Sequence, residues 1–323
     1  MKEFSLKKFI SVLLYTFLFT SILIANNKSN DLLNDSDYIA YKGRGETVKE
    51  AENDALEQIS KYFNMKIHTE SSETTVVSGN NKSQTELQNN IFVESQTELF
   101  AVHYTEPSYN KKQKNYEVIA YINKEEAWNI YESKIRSITE KFDGTISTAK
   151  SENEDFKQIL FYKKAQFLAK TNNLEKVIQF AYGLYYEKAQ NYEYVLDEIS
   201  IIPKEINSKS KNCTIYLEHS NKQILDEIKN LLSELCIPIT EIKENANIIC
   251  TIDFKDNKQV LPAGTFYTPS ISVSFTKDNM TLFNYSKNLK KVGAKNSNVA
   301  EQRLYTAVTT DLRQSLFADF FAN

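Results

Sequence analysis

Apolar and polar positions along this chain follow three patterns, and each predicts a different kind of element. The first is an unbroken run. Phe9 to Ala25 carries no charge, with Lys2, Lys7 and Lys8 before it and polar Asn26-Asn27-Lys28-Ser29-Asn30 after it. A cationic head, an apolar core and a small residue at the exit make a secretory signal. Residues 1–25 are therefore expected to direct export, and 26–37 to form a linker. The run sits at the short end of what spans a hydrocarbon core of roughly 30 Å, and Leu23 is large for a position just before a cleavage site. An uncleaved anchor, giving inner-membrane association, is the alternative.

The second pattern has helical spacing. Val48, Ala51, Ala55, Leu56, Ile59, Tyr62 and Phe63 form one stripe. Thr47 stands at its N-cap and Glu50 at the capping-box position. Trp128, Tyr131, Ile135, Ile138 and Phe142 form a second stripe behind Asn123, with Gly144-Thr-Ile-Ser-Thr as the break after it. Glu154–Lys170 and Leu174–Ala189 flank the turn Thr171-Asn172-Asn173 as an αα-hairpin, with a further helix from Tyr192 to Ile199 before Pro203. Ile224, Leu225, Ile228, Leu231, Leu232 and Leu235 make a clear stripe. A last helix carries Leu304, Ala307, Val308, Leu312 and Leu316, with Asn298 and Glu301 at its cap.

The third pattern is strand-like. Tyr38–Tyr41 leads into Gly43 and Gly45, read as a tight turn. Strand runs follow at Met65–Val77, Ile91–Tyr104 and Tyr116–Ile122, with turn chemistry at Ser78–Ser83. After a polar linker at Asn207–Asn212, strands are expected at Cys213–Leu217, Ile237–Ile242 and Asn247–Phe254. Ile271–Phe275 and Leu282–Tyr285 form a hairpin turning at Lys277-Asp278-Asn279, and Leu261–Pro269 is left as a loop. The fold class is α+β. It comprises a small α+β domain over 38–142, a helical hairpin acting as spacer or docking platform over 150–206, and a C-terminal α/β domain with a mixed sheet over 212–323.

Composition narrows the function. Hydrophobic content of 41% supports real cores, and 39 Lys and Arg against 42 Asp and Glu, a net charge of −3, give no general attraction to nucleic acid. Acids are read as balancing the lysines throughout. The three cysteines, Cys213, Cys236 and Cys250, are an odd number for a disulfide framework and are read as buried thiols, a Cys213–Cys250 pair being the alternative. His68, His103 and His219 have no zinc-site spacing, so no metal or cofactor is expected.

One constellation carries a resemblance. Gly43-x-Gly45-x-Thr47-x-x-Glu50-Ala51-x-x-x-Ala55, later followed by Tyr116-x-Val118-x-Ala120-Tyr121, resembles the LPP-twenty lipoprotein domain. It is also similar to the N-terminal domain of the flagellar H-ring assembly protein. The likeness runs from Tyr38 to about Glu132. It implies a small bacterial envelope protein, with the matched positions forming the fold and not an active site. Lipoprotein members carry an acylated cysteine after the leader, and no cysteine precedes Cys213 here, so no lipid anchor is expected. Gly43-x-Gly45 lacks the remaining parts of a phosphate loop. Ser147-x-x-Lys150 and Ser208-x-x-Lys211 stand without companion hydrolase motifs. The expected function is a non-enzymatic, exported periplasmic or envelope interaction module with unknown envelope protein partners. A flagellar or motility accessory factor is the alternative, and an envelope hydrolase the rival from another class.

Overall fold

The structure is a computed structural model that describes residues 31–74, 99, 101–218 and 221–317. The leader, the Ser78–Ser83 turn, most of the Ile91–Tyr104 strand and His219 lie outside the described residues. The strands are β1 (Tyr38–Gly45), β2 (Val102–Tyr104), β3 (Ser108–Asn110), β4 (Asn115–Asn123), β5 (Ile215–Glu218), β6 (Ile239–Thr240), β7 (Ile248–Lys255), β8 (Lys258–Leu261), β9 (Gly264–Tyr267), β10 (Ser270–Lys277), β11 (Met280–Asn288) and β12 (Val292–Ala294). The principal helices are α1 (Val48–Thr74), α2 (Lys124–Ser151), α3 (Asp155–Thr171), α4 (Leu174–Leu184), α5 (Glu193–Ser210), α6 (Lys222–Glu234) and α7 (Ser297–Ser315). The class is α+β. The chain divides into two compact units, residues 1–136 with 175–193, and residues 137–174 with 194–323. Both helices expected in the 150–206 hairpin form, but α3 belongs to the second unit and nearly all of α4 to the first.

In the first unit, β1 and β2 flank β4 and β3 pairs with its start, all antiparallel. Helix α1 lies against β1, burying Ala51, Ala55, Ile59 and Phe63 completely. Gly43 and Gly45 do not make the tight turn expected from sequence. They lie within β1 without a positive φ, and their role is contact. A Cβ on Gly43 would stand 2.0 Å from the Ala51 carbonyl oxygen and 2.3 Å from the Ala55 nitrogen. The capping box forms as expected. Glu50 N–H donates to Thr47 Oγ1 at 3.2 Å, and the Glu50 carboxylate accepts from Thr47 N–H at 3.3 Å and from Glu46 N–H at 2.8 Å. Farther along, Phe63 meets Phe180 of α4 edge-on at 5.3 Å between centroids, and Trp128 meets Tyr185 at 6.0 Å.

Several boundaries differ from the sequence reading, for identifiable reasons. Met65–Thr74, expected as strand, continues α1, because neither Gly nor Pro follows Phe63 to stop a helix already propagating. Gly144 does not break α2. Its cost of about 1 kcal/mol relative to Ala is outweighed by burial of Ile146 and Ala149. Pro203 sits inside α5, and the supposed linker at 207–210 is its last turn, because buried Ile202 and Ile206 extend the apolar stripe through it. Asn296, not Asn298, caps α7, accepting from Asn298 N–H at 2.8 Å and Val299 N–H at 3.3 Å.

In the second unit, a five-stranded mixed sheet runs β11-β10-β7-β5-β6. The βαβ connection makes β5 parallel to both β6 and β7, and the rest is antiparallel. Its core includes Ile215, Cys250, Val273 and Phe275 from the strands, Ile224, Ile228 and Leu232 from α6, and Leu304, Val308 and Leu312 from α7. Phe156 of α3 stacks on Phe275 at 5.0 Å. The β10–β11 hairpin turns at Asp278 and Asn279, both with positive φ, the geometry that matches strand twist in a two-residue loop. The Leu261–Pro269 loop is instead the second half of the β8–β9 hairpin in a separate small sheet, β12-β9-β8.

Candidate functional site

The residues singled out from sequence come together in the first unit. Gly43 pairs with Val118, Gly45 with Tyr116, Tyr41 with Ala120 and Ala40 with Tyr121. Thr47, Glu50, Ala51 and Ala55 occupy the helix pressed against that strand pair. These positions serve strand pairing, close packing of β1 on α1, or helix capping.

A concave feature with a mixed apolar and polar lining lies in the second unit. A groove of about 860 Å³ runs between α7 and the chain from the end of β11 through the 289–291 turn to β12. Its helix side follows from periodicity. Ala300, Leu304, Val308 and Leu312 face the core, which turns Val299, Arg303, Thr306 and Thr310 to the groove. Leu289, Val292, Val299 and Ala307 give it an apolar floor, with amides and hydroxyls from Asn288, Gln302, Thr306, Thr310 and Gln314 around them. The Arg303 guanidinium donates to the Gly293 carbonyl at 2.7 Å, tying α7 to β12.

One end is closed by a polar cluster. Asp311, only 13% exposed, accepts from the Tyr285 hydroxyl and from Lys287 Nζ at 2.5 Å. Burial, then the hydrogen bond to Asp311 and that carboxylate's charge, push the Tyr285 pKa well up, so Tyr285 stays a donor at neutral pH. The cluster is internally neutralised. The opposite wall is not. From residue 287 to 303 the chain carries Lys287, Lys290, Lys291, Lys295 and Arg303 against Glu301 alone. Acids thus balance lysines over the whole chain but not along this segment. Lys291 lies over the Phe266 ring at 4.8 Å and reaches Gln259 at 3.3 Å. Lys290, Lys291, Lys295 and Arg303 have no carboxylate partner among the described residues. Sequence reasoning missed these groove residues, although the local run of unbalanced cations was the available signal.

Other reactive groups are structurally engaged or isolated. Cys213 and Cys250 are buried, unlinked thiols; burial, with Asp155 nearby, pushes Cys213 up to about 12. Cys236 is exposed, with Lys163 Nζ 3.5 Å from its sulfur. Ser147-x-x-Lys150 lies on α2, where Lys150 pairs with Glu198 at 2.5 Å. His103 meets Glu126 at 3.1 Å. Among the described residues, no three His, Cys, Asp or Glu side chains group to hold a metal ion, and no helix is long and apolar enough to cross a membrane.

No family model matches the chain, and no curated protein matches it. Among solved structures, the secreted protein HP1454 from the human pathogen Helicobacter pylori aligns at 14% identity and a TM-score of 0.35, covering 87% of this chain and 99% of that one. A minor lipoprotein from Acinetobacter baumannii aligns at 15% identity and a TM-score of 0.23, covering 34% of this chain and 93% of that one. At these scores neither likeness fixes the fold or function of this chain.

Proposed function

We propose that this chain is a non-enzymatic protein of the bacterial cell envelope that works by docking other proteins. The observation that carries the reading is the open groove beside α7, an apolar floor rimmed by amides and uncompensated cations. Such a lining suits recognition of another surface. The polar cluster at its end supports the same view, because Asp311 is already neutralised by Lys287 and Tyr285 is held as a donor. Neither is left poised to abstract a proton. Export rests on the signal-like run at Phe9–Ala25. The resemblance of Tyr38–Glu132 to the LPP-twenty domain supports an envelope site of action, with its matched residues acting in the scaffold.

The test is fractionation of cells with intact-mass analysis of the recovered protein, followed by crosslinking in the envelope fraction. Envelope location and a defined crosslinked partner are the expected results. Full-length chain beginning at Met1 and free in the cytosol, or an envelope protein that crosslinks to nothing, would overturn the reading.

A further inference from the structure

The groove's own geometry narrows what it receives, and this step rests on the docking reading above. Among the described residues, β11 is an edge strand of its sheet and pairs with β10 alone. Leu289 N–H donates back to the Pro269 carbonyl at 2.9 Å. Because successive residues of a strand direct their backbone groups to opposite sides, the N–H and C=O of Asn288, and of Ser286 before it, face away from β10. Among the described residues they make no backbone hydrogen bond outside the sheet ladder, and β10 is on the other side. Such an edge is a template for an added strand. Asn288 also lines the groove, so the free edge and the cationic rim meet at one place.

We propose that this groove binds an extended, acidic segment of a partner protein, which adds to the free edge of β11. Its carboxylates lie toward Lys290 and Arg303, and its alternate apolar side chains rest on Leu289, Val292 and Val299. Charge complementarity sets the sign. Lys287 is spent on Asp311, whereas Lys290 and Arg303 have no carboxylate to answer them. Shape favours a peptide over a bilayer, since these groups line a trough and not a projecting face. The lining has no aromatic ring on which a nucleobase could stack.

The test uses the purified full chain and fluorescein-labelled peptides of about ten residues, a usual strand length at its upper end, one alternating Glu with Val and the other Lys with Val. Anisotropy is expected to show binding of the Glu peptide alone, weakening as NaCl rises from about 50 to about 300 mM. Lys290→Glu, at a side chain with no hydrogen bond or ion pair among the described residues, should weaken binding by roughly tenfold, which is about 1.4 kcal/mol, by replacing an attraction with a repulsion. Asn288→Pro removes an N–H that the sheet does not use and should weaken binding similarly. Circular dichroism of both variants should match that of the parent. No binding, equal binding of both peptides, indifference to both well-folded variants, or binding of phosphatidylglycerol vesicles in place of the peptide would overturn the proposal. Any of these with the envelope crosslink intact removes the peptide assignment and leaves the general docking reading standing; loss of the crosslink or of envelope location with peptide binding intact does the reverse.

Discussion

Replacing Gly43 by Ala adds one methyl group, and the structure gives that group no room. Its carbon would lie 2.0 Å from a backbone oxygen, 2.3 Å from a backbone nitrogen and 2.8 Å from the Ala55 Cβ. The first two belong to α1 itself, so no rotamer change relieves the clash; the helix must move off the strand. Overpacking a core by a methylene costs typically 1–3 kcal/mol, and a clash with fixed backbone belongs at the top of that range, about 3 kcal/mol. Gly144→Ala is the internal contrast. Nothing lies within 4 Å of its added carbon, it sits inside α2, and Ala should gain about 1 kcal/mol by helix propensity. The chain's single tryptophan, Trp128, is buried in the first unit, so its fluorescence in a urea titration reports that unit. With a slope of about 1–3 kcal/mol/M, Gly43→Ala should lower the fluorescence midpoint by at least about 1 M. Gly144→Ala, in the second unit, should leave that midpoint in place. A Gly43→Ala midpoint within about 0.2 M of the parent would refute the close approach of β1 and α1.

Three further outcomes follow from single contacts. Native protein should react with one equivalent of a thiol reagent, at exposed Cys236, and denatured protein with three; one equivalent in both states would show that Cys213 and Cys250 are joined. The Tyr285 pKa is raised in the folded state, so its contribution to stability is complete below the ordinary tyrosine value near 10 and is lost as pH climbs through the folded value. Tyr285→Phe should therefore make the alkaline decline in stability shallower by up to one proton's worth of slope, and an unchanged slope counts against the Asp311 contact. Asn296→Ala should cost about 1 kcal/mol through loss of the α7 cap, read as a thermal shift, while Asn298→Ala should stay close to the parent; the reverse order would restore Asn298 as the cap.

What the sequence disclosed depended on how local the cause was. The Thr47–Glu50 capping box is written in four consecutive residues, and its hydrogen bonds close as that spacing requires. The β10–β11 turn is similarly local, since Asp278 and Asn279 tolerate the positive φ that a tight hairpin demands. The misread boundaries depend on remote partners. Gly144, Pro203 and the Ser- and Lys-rich stretch at 207–210 all carry signals for stopping a helix. Each is overruled by buried neighbours, Ile146 and Ala149 for Gly144 and Ile202 and Ile206 for the other two. β8 was hidden for the opposite reason. All four of its residues are exposed, Val260 at 72%, so no apolar alternation marks it.

The same contrast explains why the motif residues and the candidate site are different sets. Gly43, Gly45, Ala51 and Ala55 are recognisable because close contact between two backbones admits few residue types. Lys290, Val299, Arg303 and Thr306 lie on a solvated rim and floor, where the fold tolerates almost any side chain and imposes no periodicity. A substitution in the first set should therefore change stability whatever partner is offered, whereas Lys290→Glu should leave stability within about 0.5 kcal/mol of the parent and act only on binding. If Lys290→Glu instead destabilised the chain as Gly43→Ala should, the groove rim would be part of the scaffold, and its positive charge would have to be explained by the fold.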